Sequence, residues 1–89
     1  MRTITLDGQR MVTIQDTHAY IEKKLKIHDY YGKNLDALWD ALTGIGTSTR
    51  IEIIHFNAAE AHLGPYAEKL RQVLMDAAVE NVFLQVVFL

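Results

Sequence analysis

Apolar and polar positions along this chain recur at two different periods. Thr3-Ile4-Thr5-Leu6 alternates polar and apolar residues and runs into Asp7-Gly8, which predicts a short strand followed by a turn. From Thr13 the period becomes helical. Ile14, His18, Ile21 and Leu25 share one face, Thr13 suits the N-cap with Asp16 in the first turn, and Lys23, Lys24 and Lys26 gather at the C-terminal end. His28 and Asp29 lead out of this helix, and Tyr30, Tyr31 and Gly32 are predicted to form a loop. A second helix is expected to start at an N-cap on Asn34 and to stop at Gly44. After a Gly/Ser/Thr loop from Gly44 to Arg50, the β-branched run Ile51-Glu52-Ile53-Ile54-His55-Phe56 predicts a strand buried mostly on both faces. Asn57 is the expected cap of a short helix through His62. Gly64-Pro65 ends that helix and opens another, with Pro65 near its first position. Tyr66, Leu70, Val73, Leu74, Ala77 and Ala78 make its apolar stripe and Asn81 its C-cap. Val82 to Leu89 is expected to be a well-covered final strand.

The predicted order is strand, two helices, strand, two helices, strand. Helices between strands favour parallel pairing through right-handed crossovers. The expected fold is α/β, a small three-stranded parallel sheet flanked by helices, in a single domain spanning residues 1–89. No internal repeat, linker or low-complexity segment interrupts it.

Composition narrows the function classes. About half the residues, 49%, are hydrophobic, enough for a core that needs no metal or disulfide. There is no cysteine, which removes a disulfide framework, a zinc ribbon and a thiol nucleophile together. The N-terminal residues Met1 to Gly8 carry no apolar segment of signal-peptide length, and the apolar stretch Val82 to Leu89 is too short to cross a bilayer. A cytoplasmic location is therefore expected. The net charge of −2 argues against broad binding to a phosphate backbone.

The segment from Tyr30 to Gly44, Tyr-Tyr-Gly-Lys-Asn-Leu-Asp-Ala-Leu-Trp-Asp-Ala-Leu-Thr-Gly, holds the densest information. At about 100° per residue, Leu35, Leu38 and Leu42 fall on one side of a helix. Asp36, Asp40 and Thr43 fall on the other, with Trp39 at the border. Asp36 and Asp40 stand at i and i+4, where like charges repel by a few tenths of a kcal/mol. Asp is also a poor helix-interior residue. A pairing that gains the fold nothing, beside an aromatic residue, sets a basic partner beside the alternative of an ordinary solvated face.

This segment resembles the signature of the barstar family, intracellular inhibitors of barnase-type ribonucleases. The Asp7-Gly8 turn, the helix around His18 to Leu25, the strand Ile51 to Phe56 and the segment from Gln72 to Leu89 also fall where that family has them. The resemblance implies that the helix and the loop before it plug a ribonuclease active site, with carboxylates in place of substrate phosphate. By position, Asp40 is implied as the central anchor and Asp36 as a second ionic contact. Tyr30 is implied to pack on the enzyme's active-site histidine, and Asn34, Trp39, Thr43 and Gly44 to complete the surface. Two of the implied contact positions depart from the family. Ile45 stands where the family has a tryptophan, and Asp76 where it has a glutamate that reaches the partner. Ala41 and Val82 replace the family's two cysteines, which is compatible with simple core packing, and the Thr47-Ser48-Thr49 loop lacks the family's proline. The implied partner is a small extracellular, guanyl-preferring ribonuclease, barnase-like or related. The protein is expected to be a monomer when free, with no cofactor, no nucleic acid and no membrane as ligand. An immunity protein for another toxin nuclease, and a non-inhibitory interaction module of the same fold, are the alternatives.

Catalysis and metal binding find no support in the sequence. There is no Gly-rich phosphate loop and no G-x-S-x-G, and Asp36 and Asp40 would stand on a convex helix face rather than in a cleft. His18 reads as a core or boundary residue, His28 and His62 as surface residues, and His55 has no HExxH-like spacing.

Overall fold

The computed structural model describes residues 1–27 and 32–89; the predicted loop at Tyr30 and Tyr31 and the exit at His28 and Asp29 lie outside them. Strands β1 (Arg2–Asp7), β2 (Thr49–Ile54) and β3 (Leu84–Phe88) form one parallel sheet in the order β1-β2-β3. A short 3-10 turn, Gly8–Arg10, follows β1. Helices α1 (Ile14–Leu25) and α2 (Leu35–Thr43) connect β1 to β2, and α3 (Phe56–Leu63) and α4 (Pro65–Glu80) connect β2 to β3. The expected α/β architecture is the observed one.

Register fixes which side chains share a face. Ile4 pairs with Ile51, which pairs with Val86, and Leu6 pairs with Ile53, which pairs with Phe88. These residues, with Thr49 and Leu84, form the core side of the sheet. The opposite side carries Thr3, Thr5, Arg50, Glu52, Ile54, Gln85 and Val87, all exposed or half-buried. Two right-handed crossovers stepping in the same direction across a sheet place both helical connections on the same face. The burial pattern has that one-sided form. β2 therefore alternates buried and half-buried positions and is not covered on both faces as its apolar run suggested.

The helices pack over the core side through Ile21, Leu25, Leu38, Leu42, Phe56, Ala59, Leu70 and Leu74. Burying each of the larger aliphatic side chains contributes about 1.5–3 kcal/mol. The Thr13 side chain accepts from the Asp16 N–H at 3.0 Å, as its position at the start of α1 predicts. Ile14, in contrast, is exposed, and Thr17 takes the buried place in the first turn of α1. His18 is fully buried, and its Nε2 shares a 2.6 Å hydrogen bond with the Tyr66 hydroxyl, joining α1 to α4.

β2 ends two residues before the predicted limit. Gly8 approaches the backbone so closely that an added Cβ would lie 2.1 Å from the His55 carbonyl oxygen. Asp7 Oδ1 lies 3.1 Å from His55 Nδ1. With the chain held there, His55 takes a left-handed conformation (φ 54°) and Phe56 begins α3. Phe56 is buried as the first helical residue, edge-on to Phe88 at 5.1 Å, and not as the last residue of a strand. The N-cap position of α3 is consequently His55 and not Asn57. β3 is also shorter than its apolar run. The Asn81 side chain accepts from the Phe83 N–H at 2.9 Å, turning Val82 and Phe83 out of the sheet. Val82 is 92% exposed, so core packing does not account for that residue, while Ala41 is half-buried.

Burial pushes the His18 pKa below its ordinary 6.5. The fold holds the neutral ring, so this contribution to stability is complete above pH 6.5 and declines as pH falls toward the folded-state pKa. Asp7 acts in a lower window. The Gln9 N–H, followed by His55, holds its carboxyl below 3.8, and that stabilisation is lost only on acidification through its folded pKa. Urea unfolding should accordingly show stability falling between pH 7 and pH 5, and His18→Gln should flatten that slope.

Candidate functional site

α2 owes its entry geometry to one residue. Asn34 Oδ1 accepts from the Ala37 N–H at 2.8 Å, and its Nδ2 donates to the Gly32 carbonyl at 3.3 Å. Both ends of the Asn34 amide are thus spent on the start of the helix and the segment leading into it. Lys33, in a left-handed conformation (φ 55°), places its Nζ 3.7 Å from Glu22 on α1.

Leu38 and Leu42 bury one face of α2 in the core, and Leu35, Ala37 and Trp39 pack against it from the flanks. Asp36 and Asp40 are both exposed on the opposite side. Among the described residues, neither carboxylate has a cation within ion-pairing distance. Asp36 lies in the first turn, where the helix dipole favours it. Asp40, one turn further on, has no such compensation. Thr43 donates its hydroxyl proton to the Trp39 carbonyl at 2.8 Å, leaving the oxygen lone pairs free to accept.

The exit from α2 is fixed from outside the helix. Gly44 is right-handed (φ −87°), so it does not stop the helix through a left-handed cap. A Cβ there would lie 3.2 Å from the Asp40 carbonyl oxygen, tighter than most side chains tolerate. The Asn81 amide reaches across from the end of α4 and donates to the carbonyls of Leu42 and Ile45, each at 2.9 Å. Asn81 is buried, with its oxygen engaged by Phe83. The Gly44-Ile45-Gly46 turn is therefore hydrogen-bonded to a second helix despite its two glycines, and half-buried Ile45 packs on the core.

The structure thus places Asn34, Asp36, Trp39, Asp40, Thr43, Gly44 and Ile45 along one helix and its two ends. Asp76 lies on α4, which packs against α2, and is exposed, with Oδ1 accepting from Gln72 Nε2 at 2.8 Å. Tyr30 lies outside the described residues. Sequence reasoning read Asn81 as a C-cap and missed its larger part. The signal was an asparagine beside apolar neighbours, whose distant carbonyl partners only the packed helices reveal. Among the described residues, no group of three or more His, Asp or Glu side chains is arranged to hold a metal ion. No helix is long and apolar enough to cross a membrane.

Fold and surface define a small parallel α/β protein that presents two carboxylates, without a cation partner among the described residues, on a helix anchored at both ends. The sequence model of the family described as Barstar (barnase inhibitor) matches residues 1–88. A Bacillus subtilis (strain 168) protein named "Putative ribonuclease inhibitor YrdF" is 38% identical over 81 residues, covering 90% of this chain and 89% of that relative. This chain belongs to the barstar family.

Removing either anchor should weaken the site through the fold. Asn34→Ala deletes the cap and should cost about 0.5–2 kcal/mol. Asn81→Ala takes the side-chain partner from the Ile45 carbonyl and the Phe83 N–H and leaves the Leu42 carbonyl with backbone donors alone, and should cost about 1–3 kcal/mol. Chemical denaturation measures both losses. Amide exchange should show Asn81→Ala loosening residues 43–46 selectively.

Proposed function

We propose that this protein is a stoichiometric inhibitor of a small secreted ribonuclease, occupying the enzyme's active site with α2 and the segment before it. The observation that carries the reading is the pair Asp36 and Asp40, exposed and without cations among the described residues, on a helix whose two ends are held by Asn34 and Asn81. Family membership and the name of the Bacillus subtilis relative support the same direction.

A ribonuclease cleft binds phosphate and is a concentrated positive potential. A carboxylate on a pre-ordered helix enters it with little loss of conformational entropy. Opposite charge also accelerates the encounter. Asp40 is the central anchor in this reading, Asp36 the second ionic contact, and Tyr30 a ring packed on the enzyme's active-site histidine. Asn34, Trp39, Thr43 and Gly44 complete the surface, and the favoured enzyme is barnase-like and guanyl-preferring. The inhibitor works as a single domain and a monomer in the cytoplasm of the producing cell, without cofactor and without catalysis of its own.

A second reading keeps the plug and changes the enzyme. Ile45 lies partly buried on the core, where the family has a tryptophan, and Asp76 is engaged by Gln72. Both departures reduce what the rim offers to a barnase-like surface. They favour an immunity role against a different toxin nuclease.

Titration of a barnase-like ribonuclease should abolish RNA cleavage at one-to-one stoichiometry, and added salt should slow association. Asp40→Ala should weaken inhibition by roughly 30-fold or more, a loss of about 2 kcal/mol typical of an anchoring residue, mainly through faster dissociation. Unchanged inhibition by that variant would show that the plug does not centre on Asp40. Inhibition of a toxin nuclease but not of the barnase-like enzyme would select the second reading.

A further inference from the structure

The lysines at the end of α1 are more than the helix-dipole complement that their sequence positions suggest. They form one wall of a cleft of ≈ 530 Å³ whose other wall is β1. That volume lies within the range of about 300–1,000 Å³ typical of ligand sites. Arg2, Lys23, Lys24 and Lys26 line it, four of the nine Lys and Arg residues of a chain whose net charge is −2. Among the described residues, none of the four has a carboxylate within ion-pairing distance. Arg2 has only a long contact, 3.4 Å, to the Thr49 hydroxyl.

The β1 wall is a free sheet edge, since β1 pairs only with β2. Backbone N–H and C=O groups of successive strand residues point alternately to opposite sides. The Arg2 N–H donates toward β2, to the Ser48 carbonyl at 3.0 Å. The Asp7 N–H points the other way and donates to the Tyr20 hydroxyl of α1 at 2.9 Å. Thr3 and Thr5 share the parity of Asp7, so their N–H and C=O groups face the cleft. Tyr20 closes the edge at the C-terminal end of β1, and the cleft opens along its N-terminal half. Ile4 supplies an apolar floor.

We propose that the cleft between the free edge of β1 and the last turn of α1 binds an extended acidic peptide as an added strand. Charge selects the ligand's sign, and the exposed backbone selects its form. An edge that alternates donors and acceptors matches another peptide backbone. A phosphate chain, which only accepts, would meet the carbonyls of Thr3 and Thr5 as repulsion. The cleft lies on the β1–α1 side and involves none of the α2 residues, so this inference is independent of the inhibitor reading.

The test is fluorescence anisotropy with a labelled heptapeptide of alternating glutamate and valine, titrated with the full chain at low salt. Saturable binding is expected, with slower hydrogen exchange at the Thr3 and Thr5 amides. The double variant Lys23→Glu/Lys26→Glu should weaken binding at least tenfold. Thr5→Pro removes an outward N–H that the β1–β2 ladder does not use, a position where edge strands tolerate proline. It should weaken binding at least threefold with the circular dichroism spectrum retained. Should Thr5→Pro unfold the chain, the same peptide N-methylated at alternate residues provides the equivalent comparison and should bind at least threefold more weakly. Absence of saturable binding to the folded protein would overturn the proposal and leave the lysines as guards against edge-to-edge association. Equal affinity for the N-methylated peptide or for a hexauridylate would also overturn it, since either would mark a plain anion patch.

Discussion

Three parallel strands taken in the order β1-β2-β3 leave the helices only one face to occupy. Every other feature of the molecule answers to that constraint. The covered face carries Ile4, Leu6, Ile51, Ile53 and Leu84 against all four helices, while the opposite face keeps threonines, Gln85 and the Arg50–Glu52 ion pair at 2.9 Å. With the layer of helices on one side, α2 packs against α4, and α4 also lies against β3. Their outer surfaces are then free to be polar. The same order makes β1 an edge and leaves its outward backbone to be met by Tyr20 at one end and by a lysine-walled cleft at the other.

Asp36 and Asp40 are a cost to the free protein. They repel one another across a helical turn, and only Asp36 gains from the helix dipole. The molecule tolerates them because α2 is stabilised elsewhere. Leu38 and Leu42 are fully buried, Asn34 satisfies the first turn, and Asn81 holds the carbonyls past the last one. Such an arrangement separates the residues that hold the helix from those that face outward. It also means that the outward charge is already oriented before any partner arrives, so that binding need not order it.

Charge is divided between two regions of one small surface. Among the described residues, the acidic face of α2 has no cation partner and the basic wall at the end of α1 no carboxylate partner, although a chain of this net charge could have neutralised one with the other. Lys33–Glu22, at 3.7 Å, is the ion pair that links α1 to the residues entering α2. Exposed pairs of this kind contribute at most about 1 kcal/mol. Leaving these charges unpaired among the described residues therefore costs the fold little and leaves both regions with net charge to offer.

Local chemistry was legible in the sequence wherever a short-range rule governs the backbone. Thr13 and Asn34 cap their helices through side-chain oxygens, Pro65 opens α4, and the alternation of β1 and the stripe of α4 follow from two fixed periods. The acidic pair on α2 was legible for the same reason, because i and i+4 on a helix are neighbours whatever the rest of the chain does. What tertiary structure decided depends on residues far apart in sequence. β2 stops at Ile54 because Gly8 meets the His55 backbone, and β3 starts only at Leu84 because the Asn81 side chain turns the chain first. An apolar run shows that residues avoid water but not which neighbour covers them, so Val82 reads as core and stands in solvent. The clamp of Asn81 on Leu42 and Ile45 and the cleft between β1 and the lysines of α1 exist only once the helices are stacked on one face of the sheet. Sequence periodicity describes each element against a generic core, and it is the crossover geometry that decides which elements meet.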